Sequence, residues 1–457
     1  MTQLLASHLS TILGFAMATL LTAAIVAQRR APGTTFAWLL AIVLIPYVGV
    51  PLYLVFGGRK LKRRGGKAAL YAKGAEAPAG PHDTIASMLC ASGAPPPRAG
   101  NTFELLPTGE TAFAEIVATL ETATRSIYVS TLILGADEVG DAILGVLERK
   151  AKAGVEVHVL LDALFKRRAG RKRLVALQTA GGHVAWFMPV IHVPFLSRLR
   201  ANLRLHRKII VVDGQVAIVG GMNLAHEYMG PTPAPERWRD LSARVRGPAV
   251  DDLAAVFRAD WAFAAGQELA APPASPATGD TALQVVGSGP DVADDLIYDA
   301  FLSAVFAARR RLWIATPYFV PDEGLLRALV LAVRRGVDVR VVVPARSNHR
   351  TADYAGASYL RAVAAAGGSI ACYEPSMMHG KAVLVDDTLA AIGSANVDMR
   401  SLFLNYEIAV FCTTPAPVGE VAAWFESRLF PQCGALAPAG RGKALVEAVA
   451  RLIGPLE

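Results

Sequence analysis

Residues 206–223 read His206-Arg207-Lys208-Ile209-Ile210-Val211-Val212-Asp213-Gly214-Gln215-Val216-Ala217-Ile218-Val219-Gly220-Gly221-Met222-Asn223. Residues 379–396 read His379-Gly380-Lys381-Ala382-Val383-Leu384-Val385-Asp386-Asp387-Thr388-Leu389-Ala390-Ala391-Ile392-Gly393-Ser394-Ala395-Asn396. His, Lys, Asp, Gly and Asn recur at identical offsets, 173 positions apart. An internal repeat of this kind sets the architecture: one supersecondary unit, built twice.

The flanks repeat too. Ser126-Ile127-Tyr128-Val129-Ser130 in one half matches Arg311-Leu312-Trp313-Ile314-Ala315 in the other. A helical stretch follows in each and stops at a glycine placed as a C-cap, Gly154 or Gly336. Next come Val155-Glu156-Val157-His158-Val159-Leu160-Leu161 and Val337-Asp338-Val339-Arg340-Val341-Val342-Val343. Strands alternating with helices predict an α/β layer architecture with a largely parallel sheet in each half. Ala-, Gly- and Pro-rich stretches at Gly65–Gly100 and Ala264–Gly279 read as a tether and an inter-domain linker. The expected division is a membrane anchor over 1–60, a tether over 61–100, and domains over 101–268 and 281–457.

The chain has 457 residues, 53% hydrophobic and only 18% charged, with a mean hydropathy of +0.37. Soluble domains carry about 25% charged residues, so ordinary cytosol is excluded, as are fibrous and wholly disordered classes. Cys90, Cys372, Cys412 and Cys433 fall at no metal-binding or disulfide spacing. The net charge is +8, but Arg59, Lys60, Lys62, Arg63, Arg64 and Lys67 form one acid-free cluster. A nucleic-acid binder spreads its basicity over a folded domain, so no nucleic-acid partner is expected.

Leu9–Ala27 is uncharged and would be about 28 Å long as a helix, close to the thickness of a bilayer core. Met1–Ser10 lacks the basic residues of a secretory signal. A second apolar run, Phe36–Phe56, is interrupted by Pro46, Gly49 and Pro51, consistent with a kinked span or a re-entrant dip. The basic cluster outweighs Arg29 and Arg30 between the runs, which places both termini in the cytoplasm. It also suits anionic lipid headgroups.

The motif has a chemical sense. His206 and Lys208, like His379 and Lys381, are i and i+2 on an extended run, so their side chains share a face. An imidazole beside an ammonium suits a phosphate: a ring nitrogen attacks phosphorus while the cation holds the non-bridging oxygens. Asn223, Asn396 and Ser394 offer further donors to those oxygens. Asp213 and Asp386 complete the motif and count with its catalytic set, although each stands where its strand turns, a position that points to fixing the turn.

Together these residues resemble the phospholipase D superfamily over nearly the whole chain, and within it the bacterial cardiolipin synthases. Ala37-Trp38-Leu39-Leu40, Leu44-Ile45-Pro46-Tyr47-Val48-Gly49 and Leu52-Tyr53-Leu54-Val55-Phe56-Gly57 resemble that family's second membrane segment. Thr316-Pro317-Tyr318-Phe319-Val320-Pro321-Asp322, Asn396-Val397-Asp398-Met399-Arg400-Ser401 and the ending Arg451–Leu456 are similar to its signatures. The resemblance implies two α/β/α sandwich halves related by pseudo-two-fold symmetry, preceded by two N-terminal transmembrane helices. It implies a carboxylate after each catalytic His that hydrogen-bonds the other ring nitrogen; Asp240 and Glu407 match those positions. The first half departs at Leu205, where many relatives have Asn, and at Gly221, where the second half has Ser394.

The implied activity is a phosphatidyltransferase at a bacterial cell membrane, multi-pass, with its catalytic domains cytoplasmic. One His attacks phosphatidylglycerol to give a phosphatidyl-histidine and glycerol. A second phosphatidylglycerol then takes the phosphatidyl group, forming cardiolipin. No metal or other cofactor is expected. The competing reading is a membrane-tethered phospholipase D or phosphodiesterase that uses water or another alcohol. Two basic stretches, Lys166–Arg173 and Arg198, Arg200 and Arg204, are candidates for headgroup binding, and Trp186–Leu196 for a dip into the bilayer.

Overall fold

In the computed structural model, residues 19–23, 25–26, 32–56, 69–71, 84–188 and 203–453 are described. The first lobe contains β1 (Arg98–Leu106), β2 (Ser126–Thr131), β3 (Glu156–Asp162), β4 (His183–Phe187), β5 (Ile209–Val212), β6 (Val216–Gly220) and β7 (Ser242–Arg246). The second contains β8 (Thr281–Ser288), β9 (Arg311–Ala315), β10 (Phe319–Val320), β11 (Asp338–Pro344) and β12 (Ser369–Tyr373). It continues with β13 (Ala382–Val385), β14 (Leu389–Gly393), β15 (Val397–Asp398), β16 (Glu407–Cys412) and β17 (Cys433–Ala435).

Fifteen of these strands form one sheet, in the order β4-β3-β2-β5-β6-β7-β1-β8-β16-β14-β13-β9-β11-β12-β17. Outward from the antiparallel β1–β8 seam, the two sides match strand for strand, with β17 added at one edge. The repeat in the sequence is therefore a pseudo-two-fold axis through that seam.

The sheet is mixed, not largely parallel. Only β2-β3-β4 and β9-β11-β12 run parallel; β5, β6 and β7, and their counterparts β13, β14 and β16, form antiparallel meanders. The cause is in the motif itself. Asp213 (φ 55°) and Gly214 (φ 68°) both adopt the left-handed region, and the Gln215 amide donates to Val212 O at 2.9 Å. That is the two-residue turn which matches strand twist in hairpins, and Asp-Gly is its sequence signal.

Helices cover the sheet. Glu138–Lys152 is N-capped by Asp137, which accepts from the Val139 and Gly140 amides, and Asp322 caps Glu323–Arg334 in the same way. Gly154 (φ 88°) and Gly336 (φ 87°) follow their ends, as the spacing predicts. Each lobe has its own apolar core on one face. On the other face a single core runs across both lobes, joining Phe187, Phe257 and Trp261 to Tyr406, Trp424 and Phe425. Burial of this shared face binds the lobes into one body.

Two N-terminal expectations change. Ile45-Pro46 breaks the second apolar run into helices Pro32–Leu44 and Pro46–Phe56, because proline lacks the donor that would continue the first helix. They fold back on each other: the Trp38 and Tyr53 rings meet edge to face at 5.3 Å. At 13 and 11 residues each is about 20 Å or less in length. Among the described residues no helix is long and apolar enough to cross a membrane. Most of Leu9–Ala27, the basic cluster at 59–67, the 189–202 stretch with Arg198 and Arg200, and residues 454–457 lie outside the described residues. Residues 84–97, inside the stretch read as a tether, pack on the second lobe: Ile85 and Leu89 join its core, and the Gln284 amide donates to Pro95 O at 2.8 Å.

Asp213 and Asp386 stand at the far end of β5 and β13 from the histidines, about 23 Å away along an extended chain. Asp213 accepts the amides of Thr124, Arg125 and Ser126 at 2.7–2.9 Å; Asp386 accepts those of Arg309, Arg310 and Arg311 at 2.8–3.1 Å. Their place with the catalytic set is corrected on this geometry. Each ties its hairpin to the start of the neighbouring strand. Asp213→Ala leaves those amides without an acceptor and a β-carbon residue at positive φ, so it is expected to lower stability by about 2 kcal/mol in denaturant unfolding. Turnover per folded molecule is expected to persist; its loss in a folded variant would return Asp213 to the reacting groups.

Candidate active site

The motif histidines enter at the carboxyl ends of the parallel strands, where open α/β sheets place their ligands. There the lobes exchange backbone. The His206 amide donates to Tyr406 O at 2.9 Å and the Tyr406 amide to Arg204 O at 2.9 Å. Related by the pseudo-axis, the His379 amide donates to Arg239 O at 2.7 Å and the Arg239 amide to Met377 O at 2.8 Å. Each histidine loop is thus a short extra strand on the other lobe's carboxylate segment.

The carboxylates are exchanged as a result. His206 Nδ1 meets Glu407 at 2.9 Å, and His379 Nδ1 meets Asp240 Oδ2 at 2.6 Å. Chain order had paired Asp240 with His206 and Glu407 with His379; the structure pairs each with the histidine of the opposite lobe. With Nδ1 held, Nε2 is the nitrogen left for chemistry.

Lys208 Nζ donates to His206 O at 2.6 Å. Lys381 Nζ donates to His379 O and lies 2.6 and 3.2 Å from the two ring nitrogens of His379. All six side chains are buried, Asp240 and Glu407 completely. Two lysines and two carboxylates, equal in number, share this space with the imidazoles.

Burial sets the protonation. It lowers His206 to about 4, opposed by Glu407 and assisted by Lys208, and lowers His379 well below the ordinary value, with Lys381, Lys208 and His206 adding to the effect. Burial also brings Lys208 down to about 7 and Lys381 to about 8. The carboxylates differ. Burial raises Asp240 to about 7 despite Lys381 and the Leu241 amide. Glu407, equally buried, is held below the usual carboxylate range by His206, Lys208 and the Ser394 hydroxyl.

A departure between the half-motifs, Ser394 where the first half has Gly221, adds to the difference after His206 and Lys208. Ser394 Oγ donates to Glu407, and the Asn405 amide adds a longer bond at 3.4 Å. At the matching place, a β-carbon on Gly221 would come within 2.3 Å of Asp240 Oδ1, so only glycine fits and no hydroxyl is supplied. Ser394 is thus committed to a carboxylate rather than a phosphate. Asn396 spends its amide donor on Asp398 at 3.0 Å, and Asn223 Oδ1 receives the Thr131 hydroxyl and the Ile133 amide, both at 3.3 Å.

Several neighbours escaped the sequence reading. Tyr228 and Trp238 pack on the His379 ring at 5.0 and 5.3 Å. Arg207, between His206 and Lys208, is fully buried and bonds Asp260 through Nη1 at 2.7 Å, Glu407 O through Nε at 3.0 Å and Ser288 O through Nη2 at 3.1 Å. A buried guanidinium must satisfy several donors at once, and this one, paired with Asp260 of its own lobe, holds two backbone carbonyls of the other lobe. Its signal was an arginine in a run otherwise heading into apolar strand. Arg204 is buried against Asp162 at 3.1 Å, which removes it from the headgroup candidates. Of the other basic stretch, Arg168 pairs with Glu227 at 3.0 Å and Lys166 lies over Trp186 at 5.1 Å.

Asp137, His226 and Glu227 hold ligand atoms within 4.8 Å of one another. Asp137 is engaged as a helix cap and Glu227 by Arg168, and nothing in the histidine pair depends on them.

The chain matches the family described as "Cardiolipin synthase, PLD-like domain" over residues 116–261 and 302–429, and the "Phospholipase_D-nuclease N-terminal" family over residues 17–58. It is 36% identical to the cardiolipin synthase of Geobacillus kaustophilus, covering 84% of this chain and 80% of that one. It is 35% identical to cardiolipin synthase A of Pseudomonas aeruginosa, covering 88% and 86%. The phosphatidylserine synthase of Haemophilus influenzae Rd KW20 has a similar fold, with a TM-score of 0.59 at 16% identity, over 78% of this chain and 93% of that one. The chain belongs to the cardiolipin synthase family of phospholipase D-like proteins.

Proposed function

We propose that this chain transfers a phosphatidyl group from one phosphatidylglycerol to another through a phosphatidyl-histidine, releasing glycerol. The observation that carries the reading is the exchanged pairing of each histidine with the other lobe's carboxylate. It makes one site from two half-motifs.

The inequality of the carboxylates supports a division of roles. His206 is the nucleophile: its Nε2 attacks phosphorus while Nδ1–H stays on Glu407, which remains anionic and offsets the positive imidazole of the adduct. His379 is the acid and base. An arriving phosphodiester anion raises its affinity for a proton, which it gives to the glycerol oxygen as the P–O bond breaks. It then takes the proton of the second lipid's hydroxyl as that oxygen attacks phosphorus and the P–N bond breaks. Lys208 and Lys381 stabilise the charge on the non-bridging oxygens.

The N-terminal segments serve as a multi-pass anchor that keeps the lobes on the cytoplasmic face of the bacterial membrane. Supporting this are the uncharged run at 9–27, the basic cluster at 59–67, and the exposed Phe36, Leu40, Val43, Leu44 and Tyr47 on the helical hairpin.

Purified protein given labelled phosphatidylglycerol without divalent metal is expected to form cardiolipin and glycerol; phosphatidic acid as the main product would overturn the reading. His206→Ala and His379→Ala should each remove turnover, at least a thousandfold, and half activity in either would mean two independent sites. With a phosphatidyl nitrophenol, whose leaving group needs no proton, His379→Ala should still accumulate a covalent adduct and His206→Ala should not. The reverse pattern would exchange the two roles.

The pH profile follows from the lysines. Each is charged below its lowered pKa and loses that charge as pH rises through it, so kcat/KM should fall above about pH 7–8. Lys208→Arg, which cannot lose its proton in this range, should move that limb upward; an unmoved limb would assign it elsewhere.

A further inference from the structure

On the transferase reading, a second phosphatidylglycerol brings its own phosphodiester anion, which does not react and yet must come to rest beside the one that does. The product joins the two phosphates through a single glycerol, so this second anion belongs on the side from which the hydroxyl arrives. That side is His379, the base of the second step. A subsite for the second anion has meaning only if the transferase reading holds.

On that side, the loop after β11 runs Ala345-Arg346-Ser347-Asn348-His349-Arg350 at the carboxyl end of a central parallel strand. Arg346, His349 and Arg350 are exposed, and none forms an ion pair among the described residues. The loop is held in shape. Tyr318 OH donates to Asn348 Oδ1 at 2.5 Å, and the His349 ring stands edge-on to Tyr318 at 5.6 Å. The Ser347 amide donates to Asp353 at 3.2 Å, the His349 amide to Ser347 Oγ at 3.0 Å and the Ala345 amide to Tyr373 O at 2.8 Å.

Tyr318 links this loop to the site. It leads into β10, which pairs with β15 immediately after Asn396, and the Val397 amide donates to Thr316 Oγ1 at 3.0 Å. Charge on His349 is felt at His379 itself. The matching loop after β3 in the first lobe is different: Arg168 is paired with Glu227, Lys166 lies over Trp186, and Asp162 at the strand end is closed by Arg204. Arg167 and Arg171 in that region are exposed as well, so what selects the loop after β11 is its place on the side of His379, from which the acceptor hydroxyl arrives.

We propose that Arg346, His349 and Arg350 form the subsite for the phosphodiester of the acceptor lipid. Arginine forks match phosphate oxygens, and the loop offers two of them with an imidazole between. The subsite selects an anionic phosphoglyceride as acceptor over water or a neutral alcohol, and so separates a transferase from a hydrolase built on the same histidines.

The test compares two reactions of the full-length enzyme in mixed micelles: cardiolipin formation, and exchange of labelled free glycerol into phosphatidylglycerol. Both use the same donor and both histidines, but glycerol carries no phosphate. In Arg346→Gln/Arg350→Gln, and separately in His349→Gln, cardiolipin formation at subsaturating lipid should fall about tenfold or more through a raised KM, with glycerol exchange changed less than twofold. Arg350→Lys should recover part of the loss. An equal fall in both reactions, or no change in either, would overturn the subsite. Phosphatidic acid as the main product of the unmodified enzyme would overturn the transferase reading, and the subsite with it.

Discussion

Each of the two motif histidines, His206 and His379, depends on a carboxylate that its own lobe does not supply. An imidazole out of water loses the solvation of its charged form, and only a partner on Nδ1 can hold the ring and answer the charge. Here that partner arrives with a backbone ladder, His206 on Tyr406 and His379 on Arg239, so ring position and lobe position are one constraint. The continuous sheet and the apolar core shared across the seam are what make such exchange stable. A lobe by itself would present a histidine and a lysine with nothing to orient them.

The second feature is that near-symmetry is broken by small differences. A single exchange of Ser394 for Gly221 leaves one carboxylate supported by a hydroxyl and the other without that donor. Since acid–base roles follow from pushing like groups apart in pKa, such a difference, added to those from His206 and Lys208, favours different work for two similar histidines. Duplication supplies the two pairs, and divergence at a few contacts sorts them.

Much of this was legible in advance. The repeat at 206–223 and 379–396 predicts both lobes and the two histidine–lysine pairs, since a period-two run puts His and Lys on one face wherever it lies. Reading the sheet as largely parallel failed because Asp213-Gly214 was taken as the end of a strand rather than as a hairpin turn. Placing Asp213 and Asp386 with the reacting groups failed for a related reason: nearness in sequence along an extended chain is distance in space. The second apolar run was recognised as interrupted, and Pro46 turned it into a hairpin of two short helices.

Composition, periodicity and motif spacing determined by themselves the chemistry at hand and the number of times it occurs, because these depend on residue identity and local geometry alone. Asp240 and Glu407 came instead from the family resemblance, which implies a carboxylate after each histidine. Which acid serves which histidine, why Ser394 and Asn396 turn toward carboxylates, and how Arg207 is neutralised were decided only by the tertiary structure. Those pairings join residues as many as 201 positions apart, and they come into being when two lobes close on a common core and bury their charges together.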